Sequence, residues 1–271
     1  MDVKTKYGIK GKHMDELIEA IQKKEFQIYL QPKFDTQTEK IVGAEALIRR
    51  KIKNRMLLPS EFIPLYEKNG WITILDIYVL REVCKLQKKW RETNLPLFPI
   101  SINESRHHLK NPNHVKELEE ILRQEKASPR LIELEMTETT VIEDIEVAKK
   151  AAEAVKKIGF LVSMDDFGTG YSAFNVLKDI EIDILKIDKS FFDELEKNKR
   201  AQIIVESIVK MCKYLKTKTV AEGIETKEQV DFLRRIHCDI IQGYYFSKPL
   251  PIKEFEEKYL KIDPEIELQK E

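Results

Sequence analysis

Cysteine is scarce in this chain: Cys84, Cys212 and Cys238 are an odd number, and their spacing matches no thiolate metal site. They fall in apolar-periodic helices or beside a strand, so all three read as structural thiols of a protein kept in a reducing cytoplasm. Net charge is absent as well. Lys plus Arg and Asp plus Glu number 47 each, which excludes a long-range pull toward nucleic-acid polymers or anionic membranes. Any anionic ligand must be captured locally. No apolar run approaches the ~18 residues of a membrane span, since Trp71 to Leu80 is interrupted by Asp76. The lysine-rich start lacks a signal-peptide apolar region. A soluble cytoplasmic protein is expected. Catalytic signatures are missing too. The five histidines, His13, His107, His108, His114 and His237, form no HExxH-like pair, which argues against a zinc hydrolase and leaves them surface or capping roles. There is no GxSxG, and no Gly-Lys-Ser or Gly-Lys-Thr follows Gly168 and Gly170, which argues against a serine nucleophile elbow and a P-loop.

What is present is a regular alternation. At 271 residues and 42% apolar content the chain can bury a full core, and it is close to the roughly 250 residues of a (β/α)8 barrel. Residues 1–13 read as a polar leader or linker remnant, residues 14–262 as one barrel domain, and residues 263–271 as a charged tail. Met14 to Lys23 carries helical spacing. The strand-like runs Phe26 to Phe34 and Ile41 to Arg49 are separated by only six residues. A parallel crossover needs a dozen or more, so that connection must be a hairpin, and the first strand runs antiparallel to the second.

Helices are predicted from Ser60 to near Gly70 and at Ile72 to Thr93, Val115 to Gln124, Ile142 to Ile158, Arg200 to Leu215 and Lys227 to Ile236, with a short one within Ser172 to Leu177. Further strands are predicted at Leu97 to Asn103, Leu131 to Met136, Leu161 to Asp166, Ile182 to Ile187, Thr219 to Gly223 and Ile240 to Phe246. Eight strands with helices in most gaps give an α/β fold, a TIM-like (β/α)8 barrel whose first strand is antiparallel to the rest.

Acidic and amide side chains sit at the downstream ends of these strands: Glu45, Asn103, Glu135, Asp165 with Asp166, Glu222 and Gln242. In a barrel those ends share one rim. Carboxylates gathered there must raise each other's pKa or recruit a cation, and an oxygen donor set suits Mg2+, Mn2+ or Ca2+. Strand periodicity puts Glu45, Leu47 and Arg49 on one face, either as a site or as an interior salt bridge. Asn103 is equally a cap or turn former. Glu133 and Glu135 share a face, one fit to be a buried structural partner and Glu135, nearer the rim, a ligand. Asp165 and Asp166 open a glycine-bearing turn, where a cap role competes with metal bridging. Lys186, on the inner face of its strand, must find an anion. Gly223, flanked by Glu222 and Glu225, permits close approach of backbone to ligand. Trp71 and Trp90 read as core, and Tyr244 and Tyr245 as packing residues, with stacking on a base as the alternative.

Together, Gln31-Pro32, Gly43 to Arg49, Phe62-Ile63-Pro64, Ser101-Ile102-Asn103, Glu135 to Glu138, Asp165 to Tyr171, Leu185 to Asp188, Ala221 to Glu225 and Gln242-Gly243-Tyr244 resemble the EAL-domain phosphodiesterases of bacterial cyclic di-GMP signalling. The likeness covers about residues 25–251 with its motifs in the expected order. It departs after Arg49, where the family commonly has a tryptophan and a His-Pro pair and this chain has Arg50, Lys51, Ile52 and Lys53, and at Leu30, which replaces an aromatic.

The resemblance implies the substrate, cyclic di-GMP, and the product, linear pGpG. It implies two Mg2+ or Mn2+ ions, the first held by Glu45, Asn103, Glu135 and Asp165, the second by Asp165, Asp166 and Glu222. It further implies that Lys186 orients the attacking water, that Gln242 is a further polar contact, and that Gln31, Leu47, Arg49 and Pro249 meet substrate. Glu138 would brace the loop from Phe167 to Ser172, near which a homodimer contact is expected, and an upstream sensory or cyclase domain would be typical. Two other readings stand beside it: a catalytically silent cyclic di-GMP receptor or partner-binding module, and an unrelated barrel hydrolase such as a glycosidase with two opposed carboxylates.

Overall fold

The computed structural model describes residues 12–168, 173–195 and 197–261. The leader up to residue 11, most of the loop after Phe167 and the tail from residue 262 lie outside the described residues, as do the expectations attached to them.

After helix α1 (Lys12–Gln22), strands β1 (Phe26–Asp35) and β2 (Ile41–Ile52) form the expected antiparallel hairpin, with Gln31 opposite Glu45 and Tyr29 opposite Leu47. The five-residue connection, residues 36–40, leaves no room for a crossover. Strands β4 (Ile100–Asn103), β5 (Ile132–Thr137), β6 (Leu161–Phe167), β7 (Ile184–Ile187), β8 (Lys218–Ala221) and β9 (Ile240–Ile241) follow β2 in parallel, and β9 pairs back to β1. The ring thus closes with eight strands, of which only β1 runs against its neighbours. Two short pieces widen it: β3 (Arg55–Leu57) on β2 and β10 (Leu250–Pro251) on β1.

The intervening helices are α2 (Pro59–Lys68), α3 (Ile72–Glu92), α4 (His114–Glu125), α5 (Glu138–Glu143), α6 (Ile145–Ile158), α7 (Ala173–Asp179), α8 (Lys199–Leu215), α9 (Lys227–Arg235) and α10 (Ile252–Tyr259). Their apolar stripes form one core with the outer faces of the strands. On α3, for example, Leu75, Val79, Val83, Leu86 and Trp90 recur every three or four residues and are all buried.

Several elements differ from expectation. The last barrel strand stops at Ile241 instead of running to Phe246, because the backbone turns to bond the loop after β8. Gln242 N–H donates to Ala221 O (2.9 Å), and Ile224 N–H donates to Gln242 O (3.2 Å). Gly243 makes this possible, since a Cβ there would collide with the backbone of Ile224. The helix predicted from Ile142 to Ile158 is two helices, broken at Asp144, whose carboxylate caps the second by accepting from Val147 N–H (3.2 Å). Helix α10 was not foreseen. It anchors to α3 through Glu256, which accepts from Lys89 Nζ and Trp90 Nε1, each at 2.7 Å.

Candidate active site

Parallel strands end on one rim, so the downstream residues of β2, β4, β5, β6, β7 and β8 converge there despite their separation along the chain. Lys186 on β7 lies at the middle. Its ammonium is 2.8 Å from Glu135, 3.0 Å from Glu222, 3.1 Å from Asp165 and 4.0 Å from Glu45. Glu45 accepts from Asn103 Nδ2 (3.2 Å) on one oxygen and from Gln242 Nε2 (2.6 Å) on the other. One oxygen from each of Asp165, Asp166 and Glu222 lies within 4.8 Å of the other two.

Vicinal aspartates on a regular strand would point to opposite faces. Here β6 is irregular: its register with β7 shifts between Met164 and Phe167, and Asp166 adopts φ +57°, in the left-handed region that aspartate tolerates. The break lets the second carboxylate join the first at the rim, and Asp166 N–H donates to Asp165 Oδ1 (2.9 Å). Gly168 follows with φ +97°, and its N–H donates to Glu138 Oε2 (2.8 Å). Glu138 is fully buried at the start of α5, placed to hold the turn that carries the aspartates.

A second cationic group, not anticipated, lies below. Lys33 on β1 is buried, and its Nζ donates to Ser101 Oγ (2.8 Å), to both oxygens of Glu133 (3.1 Å each) and to Glu135 Oε1 (3.2 Å). Glu133 is therefore the structural partner of Lys33, while Glu135 bridges the two lysines, one oxygen to each. The signal for Lys33 was its two-residue spacing from Gln31, which puts both on one face of β1.

The electrostatics follow from burial. Desolvation alone would raise Glu135, but Lys186 and Lys33 reverse this and hold it at about 2. Burial lifts Glu222 well above the ordinary carboxylate range, aided by Asp165 and Glu45 against the pull of Lys186. Burial also raises Glu45 and Asp166, with Glu135 adding to the first and Asp165 to the second. Six carboxyl groups, Glu133 among them, face two ammonium groups, so the surplus acids are balanced either by protonation or by a cation. The donors are all oxygens, a set that could hold a hard divalent cation. Buried Gln242 Oε1 also has no hydrogen-bond partner among the described residues.

Of the expected substrate positions, Gln31 is buried and reaches Ser247 O (3.4 Å). Half-buried Arg49 sits 5.6 Å over the Tyr29 ring and donates to Ile48 O (2.9 Å). Pro249 precedes β10. Leu47 and Asn103 line a cavity of about 600 Å³ beside the rim, walled by Ile63 and Pro64 on α2 and by Asp76 on α3. Lys186, Asp165 and Glu222 stand outside that cavity.

Two expectations are corrected. Tyr244 and Tyr245 are not packed away but 56% and 40% exposed, because the turn after Gln242 carries them outward. His108 and His114 are neither surface nor simple capping residues but buried partners of acids, since the tight helical turn at residues 106–110 and α4 both pack against α3. The three cysteines are buried and free. Among the described residues, no helix is long and apolar enough to cross a membrane.

A family model described as "EAL domain" matches residues 14–249. The signaling protein YkoW of Bacillus subtilis is 34% identical over 242 residues, covering 89% of this chain and 30% of the relative. The cyclic di-GMP phosphodiesterase NbdA of Pseudomonas aeruginosa is 34% identical over 244 residues, covering 90% of this chain and 31% of the relative. The chain thus spans about a third of the length of these curated relatives. Among solved structures, PaMucR phosphodiesterase in complex with c-di-GMP superposes with a TM-score of 0.83 at 31% identity, covering 89% of this chain and 98% of that one.

Proposed function

The chain belongs to the EAL domain family, and from that premise we propose that it is a divalent-metal-dependent phosphodiesterase that hydrolyses cyclic di-GMP to linear pGpG. The observation that carries the reading is the convergence of five rim carboxylates and Asn103 around Lys186. An anionic phosphodiester would be repelled by such a rim, so local charge must be inverted before substrate can dock.

Glu45, Asn103, Glu135 and Asp165 would hold one cation, and Asp165, Asp166 and Glu222 a second. Once bound, the cations would neutralise the phosphodiester and lower the pKa of a water molecule. The chain's own residues do the rest. Lys186, kept protonated by the carboxylates around it, orients the attacking water. Arg49 grips a phosphate oxygen, and the cavity beside Leu47 offers an apolar wall to a nucleobase. In-line attack forms the new P–O bond from water and expels a ribose 3′ oxygen, which leaves a 5′-phosphorylated dinucleotide. Glu138 fixes the turn behind the aspartates through Gly168.

Mass spectrometry of cyclic di-GMP incubated with the protein tests this. We expect pGpG with Mg2+ or Mn2+, none with EDTA, and none from Glu45→Gln or Asp165→Asn. Metal-independent turnover would overturn the reading, and nucleotide binding without turnover would reassign the chain as a receptor.

A further inference from the structure

Behind the rim, one residue past Asn103, lies a second group of metal-type side chains with different chemistry. His108 and His114 are 2% and 6% exposed, and their rings stack with centroids 4.1 Å apart. His108 Nε2 is 3.1 Å from Asp76 Oδ2 on α3, and His114 Nε2 is hydrogen-bonded to Glu104 Oε1. The Nδ1 atoms of both histidines are buried and have no hydrogen-bond partner among the described residues. One donor atom from each of Glu104, His108 and His114 lies within 4.8 Å of the other two.

The two unpartnered, buried imidazole nitrogens lie in a cluster that offers both nitrogen and carboxylate oxygen donors over a span one ion can bridge. A divalent cation held there would also balance the charge of the buried acids. We propose that Glu104, His108 and His114 form a binding site for a divalent transition-metal ion of the zinc class, with Asp76 holding His108 in its ligating orientation. A carboxylate on the second nitrogen of a ligating histidine is the usual arrangement around such metals. Nitrogen donors select against Mg2+ and Mn2+, so this site and the oxygen-only rim sort different ions. The sites are nonetheless joined, since Glu104 follows Asn103 directly and its N–H donates to Glu135 O (2.9 Å).

The site does not depend on the phosphodiesterase reading, and its test is separate from turnover. The full chain bearing Asp165→Asn and Glu222→Gln, which cripple the rim as a competing zinc site, is loaded with Zn2+, passed over a chelating resin and analysed by elemental mass spectrometry. We expect about one zinc per chain, in keeping with a single three-ligand site. Adding His108→Gln and His114→Gln should remove it, and Asp76→Asn should weaken zinc binding by about 10- to 100-fold. Because those variants can misfold, X-ray absorption of the zinc-loaded protein with its histidines intact supplies an independent reading, and histidine scattering around the metal is expected. No retained zinc, or a shell of oxygen alone, would mean that the cluster is two acid–histidine pairs only and would overturn the proposal.

Discussion

Lys186 is surrounded by acids at 2.8 to 4.0 Å, so its replacement by methionine strands buried negative charge. Removing one partner of a buried ion pair costs about 3–5 kcal/mol. Lys186→Met should therefore lower stability in urea by about that amount in the presence of chelator, with Mg2+ or Mn2+ recovering part of it, and reduce turnover about 100-fold through misplaced water. The cysteines make a second prediction at this scale. Burial pushes Cys84 and Cys212 up to about 12 and Cys238 up to about 11, from an ordinary 9.0. The native state then holds protons that the unfolded state releases, so stability falls as pH rises from 9 toward those values. A thiol reagent at pH 8 should label none of the three until denaturant is added, and fast native labelling would contradict this burial. Lys33 shows where residue-level reading stopped. Its two-residue spacing from Gln31 was a signal left unread, and only the closed ring shows that Glu133 and Glu135, about a hundred residues on, are its partners.

At the scale of elements, the decisive piece is the end of β6. The register shift and the left-handed Asp166 turn two adjacent acids toward one place, and Glu138 secures the turn from the neighbouring helix. Glu138→Ala leaves the Gly168 N–H without its acceptor, a loss of about 1–3 kcal/mol. Turnover should fall about tenfold or more on the conversion of that energy, with far-ultraviolet circular dichroism unchanged. Gly168→Ala should be worse for the fold, because φ +97° strains an L-residue and its Cβ would collide with Phe191. Its melting temperature should drop below that of Glu138→Ala, and equal melting would count against the strain. Strand and helix existence was largely legible from period and punctuation, whereas ends were not. Pattern alone extended the last strand through Phe246, while the fold spends those backbone groups on the loop at Ile224. Helix α10 hid in a short charged stretch whose buried anchor, Phe255, has meaning only against Trp90.

At the scale of the molecule, the closed ring makes a rim that no segment contains. Ions that bind there bind the folded chain and not the unfolded one, so they must stabilise it, by about 2.7 kcal/mol at a hundred times their dissociation constant. Mg2+ or Mn2+ should raise the melting temperature, EDTA should reverse the gain, and Asp165→Asn should flatten the response. An unchanged melting temperature at saturating metal would contradict cation binding at the rim. The same closure sets the reversed first strand between β2 and β9, which brings Lys33 and Gln31 beneath and beside Glu45.

Short-range constraints were readable from residue order: the hairpin at residues 35–40, because six residues cannot cross a sheet, and the line of acids and amides at strand ends, because period and turn chemistry mark where strands stop. Tertiary structure alone decided which charges meet. Ring closure joined Lys33 to Glu133, a bulge turned Asp166 beside Asp165, and the packing of α4 and the 106–110 turn on α3 stacked His114 on His108. Those pairings depend on distances between segments far apart in the chain, which local periodicity does not encode.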